Sequence, residues 1–388
     1  MTSESRPVTV HLVAGEESGD ALGAALMRAL RERVPEIRFG GLGGRVMAEQ
    51  GITSPFDIHE LSIIGFGAVL QQLPRILRRI RQTADAVIAA KPDVLVVIDS
   101  PDFTHRVARR VRKAAPEIVI INYAPPSVWA WRPWRAHAMR RYVDEVLAIL
   151  PFEPTAFERL GGPHCTYVGH PLAERVSVLR PNTREAQGRL ADPPVVLVLP
   201  GSRGSEIRRL TPVFGQAIAQ AAAIAPFELV LPTLPHLAER VRKATADWTV
   251  RPRIVTDPAG KDTAFRTARA ALAASGTVTL ELALAQVPMV AAYRVPSWEG
   301  WLFRLMTPLT TVNLANLVLG ENVVPEHLQT DCRADLLAAG LVKLLSDTPE
   351  RRRQLDAFVR LDAIMDLAGR PPSQRAADAV LRVIGRDS

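Results

Sequence analysis

Cysteine is almost missing from this chain of 388 residues: Cys165 and Cys332 are the only two, and neither has a partner at CxxC or Cys/His spacing. A disulfide framework and a structural zinc site are therefore unsupported, and a reducing, cytoplasmic compartment fits best. Lysine is scarce as well, supplying only five of the 48 basic residues. No stretch reaches the roughly 18 to 20 uninterrupted apolar residues of a spanning helix; the nearest, Ala270 to Ala292, contains Gly276 and Glu281. The opening MTSESRPVTVHLVAGEE has no basic segment leading into a long apolar run, so it does not read as a secretory signal. DxD, GxSxG and GxxxxGK[ST] are absent, and neither glycine turn is a GxGxxG followed by an acidic residue at the expected distance. These absences argue against metal-dependent, serine-hydrolase, P-loop and NAD-linked chemistry. His164 and His170 lack acidic or cysteine companions at ligand spacing, and His105, His137 and His170 each read as structural. No metal and no cofactor is expected.

What is present is ordinary for a globular protein: 47% hydrophobic and 23% charged residues, with a mean hydropathy of +0.07. The length suggests two or three domains. Forty-eight basic against 40 acidic residues give +8 and point to an anionic partner, which nucleic acid, a membrane surface or a phosphorylated substrate would each satisfy. The basic residues are scattered among helices and no nucleic-acid module is visible, so nucleic acid is not expected.

Short apolar runs alternate with helical patterns of about ten to fifteen residues, which indicates α/β domains with parallel sheets. The runs are Val8–Val13, Val94–Ile98, Ile118–Ile121, Val146–Leu150, Val195–Leu199, Glu228–Leu231, Arg253–Val255, Ala270–Ala274 and Met289–Tyr293. The proline-punctuated segment Val176–Pro194 breaks the rhythm and marks a boundary, giving domains at 1–175 and 190–365, with 366–388 a tail that can cross back to complete the first. Each opens with a strand and a glycine-rich turn.

Those turns carry the candidate chemistry. In the second domain, Gly201, Ser202 and Arg203 follow a strand and open a helix, an arrangement that suits an anion, although a plain βα turn reads equally well. Ser275, Gly276 and Thr277 open a second helix, with Glu281 four residues beyond Thr277 on the same face, either facing a ribose or sugar hydroxyl or simply on the surface. Two such helix starts favour a nucleotide diphosphate. In the first domain a strand delivers Asp99 to its carboxyl end; it is either a general base or, with Asp102, a helix cap acting through Arg109. Glu16, Glu17 and Asp20 at the first turn have the same two readings. Leu61 to Arg81 is amphipathic, with Phe66, Val69, Leu70, Leu73, Ile76, Leu77 and Ile80 at helical spacing, Arg75, Arg78, Arg79 and Arg81 toward its end, and a kink expected at Pro74. With Trp129, Trp131, Arg132, Trp134 and Arg135, and with Trp298, Trp301, Phe303 and Arg304, it suggests a lipid-facing patch.

Taken in order, AGEESGDALGAALMRAL, FGGLGGRVMAEQG, ELSIIGFGAVL, PDVLVVIDSPDF, PPSVWAWRPWR, LPFEP, YVGHPLAE, LPGSRGSEI, SGTVTLELAL, PMVAAYR and NLANLVLGENVVPEHLQ resemble the lipid-A-disaccharide synthase family over roughly residues 8 to 345. That resemblance implies a GT-B fold, two Rossmann-like domains facing a central cleft. It implies metal-independent, inverting transfer of 2,3-diacylglucosamine from UDP-2,3-diacylglucosamine to the 6-hydroxyl of 2,3-diacylglucosamine 1-phosphate (lipid X), releasing UDP. It makes Asp99 the match to the proposed base and Arg203 the donor phosphate contact. Ser275, Gly276, Thr277 and Glu281 match the donor-binding helix start, and Asn316 matches an asparagine lining the UDP site. The family's SLPN stretch reads Asn313-Leu314-Ala315-Asn316 here. Implied partners are the two acylated substrates, the anionic cytoplasmic face of the inner membrane through Leu61 to Arg81, and a second copy in a homodimer that exchanges C-terminal segments. The rival reading is another GT-B UDP-N-acetylglucosamine transferase or epimerase with a soluble substrate, which leaves the amphipathic helix without a use.

Overall fold

The computed structural model describes residues 6–61, 66–296 and 311–385, with residues 66–72 described by their backbone. Trp298, Trp301, Phe303 and Arg304 lie outside the described residues, as do the side chains of Phe66, Val69 and Leu70. The chain forms two compact units, one of Met1–Ala173 with Gly369–Ser388 and one of Glu174–Ala368.

In the first unit β1 (Thr9–Ala14), β2 (Arg38–Leu42), β3 (Val94–Ile98), β4 (Val119–Tyr123), β5 (Glu145–Ala148) and β6 (His164–Tyr167) form one parallel sheet in the order β2-β1-β3-β4-β5-β6. Side chains alternate faces along a strand, so Val94, Val96 and Ile98 enter one core while Leu95 and Val97 enter another. Helices cover both faces, which is why the central strands are apolar throughout. The helix Pro372–Val383 returns to this unit and packs against Glu17–Arg33, burying Ala376, Ala377, Ala379, Val380 and Leu381 and pairing Asp378 with Arg33.

In the second unit β7 (Val195–Leu199), β8 (Glu228–Pro232), β9 (Arg253–Val255), β10 (Ala270–Ala274), β11 (Met289–Tyr293) and β12 (Glu326–Leu328) form a parallel sheet in the order β12-β11-β10-β7-β8-β9. Its core gathers Val196, Val198, Leu229, Leu231 and Leu272 with the helices Gly204–Ile224 and Ala334–Leu345.

The apolar runs locate nine of the twelve strands to within two residues. The three they miss, β2 (RFGGL), β6 (HCTY) and β12 (EHL), are all sheet edges, where a strand is half exposed and loses its apolar signature. The helix Phe66–Ala90 continues through Pro74.

The strand orders fix where loops converge. In the first sheet the chain runs from β1 outward to β2 and then crosses to β3 on β1's other side, so the order reverses between β1 and β3. In the second it runs β7-β8-β9 and reverses between β7 and β10. Ligands in open α/β sheets bind beyond the carboxyl ends of the strands at such reversals. The four turns at these two places hold Glu16, Asp99, Arg203 and Ser275, while Asn316 lies apart in the helix Leu314–Leu319.

Candidate active site

At the first reversal the chain leaves β3 through two consecutive left-handed residues, Asp99 at φ +52° and Ser100 at φ +42°. Ala124, just beyond β4, is also left-handed at φ +55°. Non-glycine residues held this way cost of order 1–3 kcal/mol each and cluster at functional sites. The bend leaves the Asp99 side chain half-buried, with Oδ2 accepting from Ser18 Oγ at 2.8 Å and Oδ1 accepting from its neighbour's amide, Ser100 N, at 2.8 Å. Ser18 opens the helix Glu17–Arg33, just past the turn after β1. That turn can approach because Gly15 has no side chain: a Cβ there would lie 2.7 Å from Ser100 Cβ.

The capping alternatives fare differently. Asp102 pairs with Arg135, while Arg109 donates to the Tyr142 hydroxyl and lies 4.7 Å from its ring centroid, so neither aspartate caps through Arg109. Asp20 is a cap, but of the next helix: its buried carboxylate accepts from the amides of Gly44, Val46 and Met47 at 2.7–3.0 Å. Glu16 makes no side-chain cap, and both Glu16 and Glu17 are exposed. His105 is buried against Tyr142, its Nδ1 3.1 Å from the hydroxyl, and burial pushes its pKa down to about 4. It is neutral at physiological pH and supports the fold. His170 is likewise buried and lowered to about 4.

Behind the same sheet end, Glu153 is buried and accepts from Leu150 N at 2.9 Å, Ile149 N at 3.1 Å and Trp129 Nε1 at 3.2 Å. Desolvation nevertheless raises its pKa to about 7. Trp129 also meets Phe152 edge-on at 5.0 Å, so this tryptophan is a fixed support, whereas Trp134 is 59% exposed.

At the second reversal the turns after β7 and β10 stand on neighbouring strands. Gly201 adopts φ +113°, which only glycine takes without strain, and brings the chain round into the helix Gly204–Ile224. The turn's amides are already engaged. Glu206 Oε2 accepts from Ser202 N at 3.1 Å and Arg203 N at 3.2 Å, and its Oε1 accepts from Arg203 Nη1 and from the Tyr293 hydroxyl, both at 3.2 Å. The Arg203 side chain is otherwise 75% exposed.

Ser275 ends β10, and its hydroxyl donates to Glu326, which also accepts from Thr311 Oγ1 at 2.6 Å and Val312 N at 3.1 Å. Among the described residues nothing lies within 4 Å of where a Cβ on Gly276 would stand, and Thr277 is exposed beside it. Glu281 is buried and ion-paired, 2.9 Å from Lys261 Nζ and 3.3 Å from Arg175.

Asn316 is buried, its Oδ1 accepting from the amides of Val323 and Val324 and its Nδ2 donating to Val324 O, so its carboxamide shapes this wall. The replaced proline also has an account. Asn313 Oδ1 caps the helix Leu314–Leu319 by accepting from Ala315 N at 2.9 Å, a donor that proline at 315 would lack.

Sequence reasoning passed over Ser18, Glu206, Tyr293, Lys261, Arg175 and Glu326. Only Glu206 left a local signal, the i to i+3 spacing from Arg203 that marks a capping box. Among the described residues no three His, Cys, Asp or Glu side chains stand together as a metal-holding group, and no helix is long and apolar enough to cross a membrane.

Two six-stranded parallel sheets, each with candidate turns at its reversal, define the GT-B fold, the architecture of solved glycosyltransferases and UDP-N-acetylglucosamine 2-epimerases. One such structure, Staphylococcus aureus MnaA with UDP, aligns with a TM-score of 0.63 over 98% of this chain and 97% of its own, at 13% identity, a likeness of fold alone. The family model described as lipid-A-disaccharide synthetase matches residues 10–378. Lipid-A-disaccharide synthases of Rhodopseudomonas palustris (strain HaA2) and Nitrobacter winogradskyi are 58% and 59% identical to it, over 96% and 97% of this chain and 95% of theirs. The chain belongs to the lipid-A-disaccharide synthase family.

Proposed function

We propose that this glycosyltransferase moves 2,3-diacylglucosamine from its UDP derivative to the 6-hydroxyl of 2,3-diacylglucosamine 1-phosphate, giving the β(1→6) disaccharide 1-phosphate and UDP. The observation that carries this reading is a family match spanning residues 10–378, with relatives of that name nearly 60% identical from end to end.

Asp99 takes the hydroxyl proton as the acceptor oxygen bonds to the donor's anomeric carbon. The bond from that carbon to the diphosphate breaks, UDP carries away the electron pair, and the single displacement inverts the sugar. Asp99 is favoured over Glu16 and Glu17 because the strained bend and Ser18 fix it, while both glutamates are exposed, Glu17 with His59 only at 4.0 Å. Arg203 and the Ser275-Gly276-Thr277 turn meet the departing charge without a metal ion; one such preorganised donor is typically worth about 2.7–4 kcal/mol of barrier. Glu281 takes ribose hydroxyls, and Asn316 acts by holding the wall at Val323 and Val324.

Two acyl chains per substrate require work at a bilayer, at about 0.8 kcal/mol per buried methylene. The helix Phe66–Ala90 supplies the contact. Arg75 and Arg79 are committed to Glu60, which leaves Arg78 and Arg81 exposed beside Leu73 and Leu77, whose relative exposures are 37% and 38%. The surface visited is the cytoplasmic face of the inner membrane, and the working form is a homodimer.

Purified protein incubated with the UDP donor and lipid X, without added metal, should yield UDP and a disaccharide phosphate by mass spectrometry. Absence of disaccharide from folded protein would reject the activity.

A further inference from the structure

One guanidinium at the donor turn remains uncommitted. In the run Glu239-Arg240-Val241-Arg242-Lys243, Glu239 pairs with Arg242 and with Lys243, the latter at 3.6 Å. Arg240 is exposed and has no partner among the described residues. Its side chain turns away from that cluster and lies over the Cα of Gly204. A Cβ on Gly204 would fall on Arg240 Nη1 and stand 2.8 Å from its Cζ.

Gly204 is not among the positive-φ glycines, so the backbone does not require glycine there. Glycine instead leaves room for the guanidinium, which a side chain at 204 would push aside. The second glycine of the PGSRGSE turn is thus matched to an arginine 36 positions later, reaching in from the connection after β8, the strand beside β7.

The turn's other anion-ready groups are partly spent. Glu206 occupies the Ser202 and Arg203 amides and holds Arg203 Nη1. Among the described residues Arg240 has no such tie, which leaves its five N–H donors for a phosphate oxygen. Building on the assignment of the donor to this turn, we propose that Arg240 is a second diphosphate-binding residue and that Gly204 is the seat that lets it reach.

Titration calorimetry of the full-length protein with UDP and with uridine tests this. Arg240→Ala should weaken UDP at least tenfold and leave uridine unchanged, Arg240→Lys should recover part of the loss, and Gly204→Ala should reproduce it. The double variant should bind UDP no worse than Arg240→Ala alone, because the two substitutions remove one interaction. Unchanged UDP affinity in Arg240→Ala alongside a loss in Arg203→Ala overturns the inference and leaves the donor assignment standing. An equal loss for uridine also overturns it, since the residue would then be shaping the fold. Wild-type protein that binds neither ligand overturns the donor assignment itself.

Discussion

At the residue scale the sequence marks Asp99 by its address at the end of an all-buried strand, but the features that single it out are invisible there. The two left-handed residues and the Ser18 contact arise only when β1 and β3 lie side by side. If Asp99 is the base, Asp99→Asn should lower turnover by about 10²–10⁴-fold while UDP affinity by calorimetry stays unchanged; near-normal turnover would dismiss the role. Glu153 offers a test by pH. Its native pKa of about 7 lies above the unfolded value of 4.5, so between these limits the folded protein holds a proton that the unfolded chain has released. Stability from this group is present at low pH and is lost as pH rises through the window, by about 3 kcal/mol at most. The melting temperature of Glu153→Gln minus that of the wild type should therefore be several degrees more positive at pH 8 than at pH 5. A pH-independent difference would mean that the carboxyl does not titrate there.

At the element scale, legibility follows burial. Interior strands are apolar on both faces and announce themselves, whereas β2, β6 and β12 border solvent and read as loop. The helix Phe66–Ala90 is the converse case: its arginines look alike in sequence, yet Glu60 claims two of them and the structure leaves two. Ile76 and Ile80 pack on the core, so the outward stripe is Leu73, Leu77, Arg78 and Arg81. Replacing Leu73 and Leu77 by serine should reduce co-sedimentation with anionic vesicles severalfold, and Arg78→Ser with Arg81→Ser should remove its salt dependence. Unaltered sedimentation of both variants would place membrane contact elsewhere. The tryptophans divide the same way, Trp129 tied inward to Glu153 and Trp134 open to solvent.

At the scale of the molecule, both sheets repeat one design: a strand, a reversal, and two turns brought to its carboxyl end. That repetition was readable from the glycine turns, because a strand followed by such a turn is a local pattern. The pairing of turns was not, since it depends on strand order. Periodicity marks the tail as helical, and the helix Pro372–Val383 lies in the first unit. Five of its side chains lie in the first unit's core, and at about 25 cal/mol per Å² of apolar surface their loss is severe. Deleting residues 369–388 should abolish cooperative melting of the first unit while residues 174–368 keep theirs, read as the loss of one calorimetric transition. Two transitions surviving intact would make the helix dispensable.

The returning helix also sets an order of assembly. A ribosome delivers residues 174–368 as one uninterrupted stretch, whereas the first unit waits for its final helix until the second unit has been made. The half of the enzyme that is started first is thus finished last. During that wait the face of Glu17–Arg33 that the helix will cover is open to whatever the nascent chain meets, chaperones included.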